Sequence, residues 1–183
     1  MAEEQILSFG GKRPLVDPSA FLAPGAKLIG DVEIGSEASI WYNCVLRGDV
    51  NRIRVGARTN IQDGSVIHVD SPKPGAGEGH PTIIGSDVLI GHLAMVHGCI
   101  LHDRAFVGLG SIAMDGCEIE SDAMLAAGAM LTPGKRIGSG QLWAGRPAKY
   151  VRDLTRDELA AQQAGVAHYV ALAKAHREAL RSA

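Results

Sequence analysis

Seven histidines stand at positions 68, 80, 92, 97, 102, 168 and 176, and three of them hold a fixed relation to their aliphatic neighbours. His68 directly follows Ile67, His97 directly follows Val96, and His92 comes two residues after Ile90. Neutral imidazole is the commonest metal ligand. Three such nitrogens on a zinc ion leave a fourth position open for water, which is the layout of a catalytic rather than a structural site. Whether the three can act together depends on the elements that carry them.

Those elements repeat every six residues. Aliphatic side chains recur at Leu22, Leu28, Ile34, Ile40 and Leu46, then at Val55, Ile61 and Ile67, then at Ile84, Ile90 and Val96. A last run is Leu101, Val107, Ala113, Ile119, Leu125, Leu131 and Ile137. Of the 17 steps, 14 are six residues long and the exceptions are 9, 17 and 5. Six is neither a helical period nor a strand alternation. A short strand plus a tight turn produces it when the chain coils and each repeat sends one aliphatic residue inward. Three repeats per coil make a triangular prism, and 18 positions predict about six coils. This spacing argues against a β-sandwich.

The coil count then places the histidines. From Ile67 the inward positions advance through Ile84 and Ile90 to Val96, one full coil. His68 and His97 are therefore expected on one face at equivalent positions, about 4.8 Å apart at the backbone. His92 leaves a different face, roughly 15 Å of extended strand from His97, and a second subunit packed against the prism could bring its own His92 to the pair. The same count stacks Arg47 beneath His68 and puts Gln62 on the side of His92.

The long step contains the Pro- and Gly-rich SPKPGAGEGHPT, which predicts a loop thrown out over 70–82, carrying Glu78 and His80. The prism is expected over 15–150 within a single domain. Thr155-Arg156-Asp157-Glu158 has the form of a capping box, and Leu159, Val166, Tyr169, Val170, Ala173 and Leu180 fall on one face of an amphipathic helix over 155–183. That helix should pack on the prism or on a neighbour. His102, His168 and His176 are read as ordinary turn and helix residues.

Composition narrows the class. Lys plus Arg number 18 against 20 Asp plus Glu, so nothing suggests a nucleic-acid partner. The stretch MAEEQILSFGGKRPLVD lacks a basic region followed by an apolar one, so no signal peptide is expected, and no apolar run is long enough for a membrane helix. Cys44, Cys99 and Cys117 are sparse and without CxxC spacing, and read as small buried hydrophobes in a reducing compartment. The expected location is cytoplasmic.

The segments WYNCVLRGDVNRIRVGARTNIQDGSVIHV (41–69) and IGHLAMVHGC (90–99) closely resemble the gamma-class carbonic anhydrases. The resemblance covers residues of about 15–150, and the terminal GRPAK is shared with hexapeptide acyltransferases. It implies an all-β fold, a left-handed parallel β-helix with a C-terminal α-helix. The left hand comes from the resemblance alone, since general crossover rules favour the right. It also implies a homotrimer with zinc, or iron or cobalt, held by His68 and His97 of one subunit and His92 of the next. Such a metal lowers the pKa of its water to near 7, giving a hydroxide that attacks CO2 to form bicarbonate.

For the surrounding residues the resemblance implies that Arg47 pairs with Asp49 at the interface and that Gln62 bonds water or bicarbonate. Asn60 and Asp63 match the same motif, with Asp63 equally suited to bracing its turn. Tyr169 is a candidate for reaching a neighbour's site, or for core packing. Val50 stands where archetypal members carry a glutamate, and the loop holds one acid, Glu78. This is the pattern of a shorter branch, and it predicts weak turnover with His80 or Glu78 left to move the proton. The competing functions are a hexapeptide acyltransferase, a metal hydrolase of small molecules, and a non-catalytic trimeric scaffold.

Overall fold

The computed structural model describes residues 5–75 and 77–182. Parallel strand pairing stacks the aliphatic repeats into three columns. The first runs Ile6, Leu28, Leu46, Ile67, Val96, Ala113 and Leu131. The second runs Val16, Ile34, Val55, Ile84, Leu101, Ile119 and Ile137. The third runs Leu22, Ile40, Ile61, Ile90, Val107, Leu125 and Trp143. Each column is thus seven deep, one coil more than the repeat count predicts. Ile6 and Val16 add the rung at the N-terminal end, and Trp143 completes the last one.

Two side chains per repeat point inward. The column residue fills the axis, and two positions before it a small residue fills the corner: Ala38 before Ile40, Ala94 before Val96, Ala123 before Leu125. The three cysteines all occupy this small-residue position, as buried free thiols. Each fully buried Leu, Ile or Val contributes about 1.5–3 kcal/mol relative to exposure. The coils also approach too closely for side chains at some turns. A Cβ on Gly56 would lie 2.4 Å from the Gly85 carbonyl carbon, so only glycine fits there.

The irregular steps serve the site. Pairing jumps from Gly30↔Gly48 to Val32↔Ile53, so residues 49–52 bulge out opposite the single residue Asp31 and lift Asp49 toward the next coil. The loop expected over 70–82 ends at Pro81, because Thr82 opens the strand Thr82–Ile84. Asn51 Nδ2 clamps it by donating to the carbonyls of Asp70 and Glu78, at 3.2 and 3.0 Å.

After the last coil the chain turns back in an antiparallel hairpin, Gln141–Gly145 against Ala148–Asp153. The helix Arg156–Ser182 follows. Its capping box closes as the sequence predicts: Thr155 N–H donates to Glu158 Oε2 (2.9 Å), and Glu158 N–H donates to Thr155 Oγ1 (3.2 Å). The helix lies on the third-column face, where Val166 and Ala173 are buried and Tyr169 and His176 join Phe21 and Trp41 in an aromatic cluster. His176 Nδ1 lies 2.9 Å from the Tyr42 hydroxyl. Leu180, expected on the packed face, is 42% exposed because it lies beyond that cluster.

Candidate metal centre

The strands Val66–His68 and Met95–His97 pair in register, with His68 directly opposite His97. His68 Nδ1 and His97 Nε2 face each other at 2.9 Å, and the ring centroids are 4.9 Å apart. The remaining nitrogen of each ring meets a carboxylate. His68 Nε2 is 3.0 Å from Asp49 Oδ1, and His97 Nδ1 is 2.5 Å from Asp115 Oδ1.

This arrangement fixes the donor set. A nitrogen facing a carboxylate carries the proton, so each neutral ring presents its lone pair on the other nitrogen. Two lone pairs then point at one another, an arrangement that only an added proton or a cation satisfies. The residues present fit a metal ion. Burial, together with the charges of Arg47 and His97, pushes the His68 imidazole below its ordinary value, and Asp49 opposes this only in part. Burial raises the Asp49 carboxyl, but hydrogen bonds from His68 and Arg47 outweigh it and leave the carboxyl below the usual range.

His92 sits at a different corner, two residues past Ile90, and its Nδ1 is 2.8 Å from Asp63 Oδ2. Asp63 and His92 occupy the same place on successive coils, so the Asp63 carboxylate meets the imidazole of the coil above it. Among the described residues no three His, Cys, Asp or Glu side chains of one chain converge on a common point. The structure brings His68 and His97 together and leaves His92 apart.

The other expected residues divide. Arg47 pairs with Asp49 at 2.5 Å. Gln62 is 4% exposed and Asn60 1%, with Gln62 Nε2 donating to Asn60 Oδ1 at 3.1 Å, while Asn60 Nδ2 finds no acceptor. Tyr169 packs edge-on against Trp41 at 5.5 Å. Asp115 was not read from the sequence, although its place was legible, two residues past Ala113 and one coil above His97. His80 packs over the same turn: a Cβ on Gly116 would lie 3.2 Å from its Cε1. His102 is engaged by Glu118 at 2.6 Å.

No family model matches the sequence. Individual proteins do. Gamma carbonic anhydrase 1, mitochondrial, of Arabidopsis thaliana is 50% identical over 165 residues, 90% of this chain and 60% of that protein. A carbonic anhydrase of Geobacillus kaustophilus is 42% identical over 154 residues, 84% of this chain and 81% of that one. The chain belongs to the gamma carbonic anhydrase family. The crystal structure of a hexapeptide transferase family protein from Anaplasma phagocytophilum superimposes with a TM-score of 0.87 at 47% identity, covering 94% of this chain and 98% of that chain. The fold is accordingly the left-handed β-helix. This family member spans about 60% of the length of its Arabidopsis relative. No helix among its described residues is long and apolar enough to cross a membrane.

Removing the carboxylate beside His97 tests its role apart from the fold. Asp115→Ala should weaken any metal held through His97 about 10–100-fold, by freeing the imidazole ring. Competition against a chelator of known affinity measures this.

Proposed function

We propose that the protein is a homotrimeric carbonic anhydrase holding zinc, or iron or cobalt, between His68 and His97 of one chain and His92 of its neighbour. The observation that carries this reading is the carboxylate behind each imidazole: Asp49, Asp115 and Asp63. Metal-ligating histidines almost always donate their second nitrogen to such a partner, which sets tautomer and ring orientation. The exposed apolar side chains near His92 support the second chain. Leu93 is 72% exposed, with Leu109 and Met95 beside it, a patch suited to burial in a contact between copies.

When bound, the metal supplies the polarisation that makes water a nucleophile near neutral pH. The chain's own residues do the rest. Asp49 accepts from His68 and Arg47 together, joining the ligand to a guanidinium at the edge where the neighbour arrives. Gln62, fixed by Asn60, offers an amide to water or bicarbonate. His80, packed beside the Asp115 turn, is placed to pass the released proton outward, with Glu78 the other loop candidate. If His80→Ala and Glu78→Ala both leave turnover in dilute buffer unchanged, neither carries it. Val50 adds no acid at the bulge, which fits modest turnover. The free buried thiols suit a reducing compartment such as the cytosol.

The test is metal analysis of the purified protein with stopped-flow CO2 hydration. About one metal per chain is expected, one for each interface of a cyclic trimer, with hydration above the uncatalysed rate. Metal without hydration would keep the site and leave ester hydrolysis or a scaffold role. Absence of metal, with acyl-CoA binding in its place, would favour the acyltransferase reading.

A further inference from the structure

One corner of the prism carries none of His68, His92 and His97. There the chain stacks residues with positive φ whose charges alternate: Glu37, Arg58, Asp87, Arg104 and Asp122. Arg58 grips Asp87 through Nε and Nη2 at 2.7 and 2.6 Å, and Arg104 grips Asp122 at 2.7 and 2.8 Å. Between this corner and the C-terminal helix lies a cavity of about 480 Å3, within the range of small-molecule sites.

The cavity has a structural cause. The helix meets the prism closely at Gly165, where a Cβ would lie 3.0 Å from Leu89 Cδ1. Beside that contact Ala105 and Ala167 are too short to fill the gap, and Phe106, Val166 and Val170 form apolar walls. Into these walls the helix places two amides, the exposed Gln163 at the rim and the buried Gln162. Gln162 lines the cavity at 9% exposure, and its Nε2 has no hydrogen-bond partner. A buried amide without a partner is costly, and a leucine there would avoid the cost.

Charge limits what fits. Arg58, Arg104 and Lys174 face Asp87, Asp122, Asp103 and Glu37, which act on the two guanidiniums directly or through space. Three cations against four carboxylates give no net attraction for an anion. We infer that this cavity binds an uncharged small molecule with a ring-sized apolar body and a carboxamide-like head that pairs with the amide of Gln162. The site is separate from the metal centre and independent of the proposed reaction.

The probes are 2-naphthamide and 2-naphthoate, which share a ring system and differ in charge, titrated against assembled wild-type protein by ligand-observed NMR. 2-Naphthamide should bind saturably and 2-naphthoate at least about tenfold more weakly. Gln162→Leu should weaken 2-naphthamide about fivefold or more, by the loss of the paired amide. Ala167→Trp, which fills the hollow from an exposed helix position, should abolish binding. A melting temperature no lower than that of the wild type, with unchanged metal content, establishes that each variant is folded. No saturable binding, equal affinity for amide and acid, or full affinity in either variant would overturn the inference.

Discussion

Replacing His92 by alanine should empty the metal site while leaving the prism intact. The side chain stands at a half-exposed corner and meets Asp63, so its removal opens no cavity, and the stability of metal-free protein should stay within about 0.5 kcal/mol. Metal affinity should fall by more than the ~10–100-fold that loss of a supporting carboxylate costs, because one of the proposed ligands is itself gone. The same chain retains His68, His97 and both of their carboxylates. Metal analysis and CO2 hydration on one preparation read the result. Full metal occupancy in this variant would mean that the ligand set lies elsewhere.

Charging the apolar patch beside His92 should dissociate the assembly and abolish the site together. Leu93 has φ of 59°, a left-handed conformation that a branched side chain tolerates poorly and aspartate tolerates better. Leu93→Asp therefore costs the isolated chain little. With Leu109→Asp added, burial against a second copy would desolvate two carboxylates without partners, a penalty of several kcal/mol per ion. Sedimentation should show monomers, and metal content should fall with the trimer even though every proposed ligand is retained. A trimer that persists with its metal would place the interface on another face.

The six-residue spacing made the columns legible, and with them the in-register pair His68–His97 and the displaced His92. Asp63 and His92 share one offset from their column residues, and Asp115 sits on the coil above His97, one place further from its column residue, so both pairings come within reach once carboxylates are counted like histidines. The extra coil is made by Ile6 and Val16, whose ten-residue separation breaks the spacing, and by Trp143, which keeps the spacing without being aliphatic. Other features lie outside local pattern. The burial of Asn60 and Gln62 comes from a face that the C-terminal helix covers, and that helix joins the prism a hundred residues later in the chain. The alternating column from Glu37 to Asp122 sits at turn positions where glycine or asparagine is the usual expectation. Its ion pairs appear only when successive coils are stacked.

The claim that matters most is that each site draws on two chains. Mixing unfolded His92→Ala and His68→Ala subunits in equal amounts and refolding them together tests it directly, since neither variant alone can complete a site. Random assembly pairs a chain that retains His68 and His97 with a neighbour that retains His92 at about a quarter of the interfaces. The mixture should therefore recover about a quarter of the wild-type metal content, with each variant alone near zero. Failure to recover metal in mixed trimers of confirmed assembly, or full metal in either variant alone, would contradict a site shared between subunits.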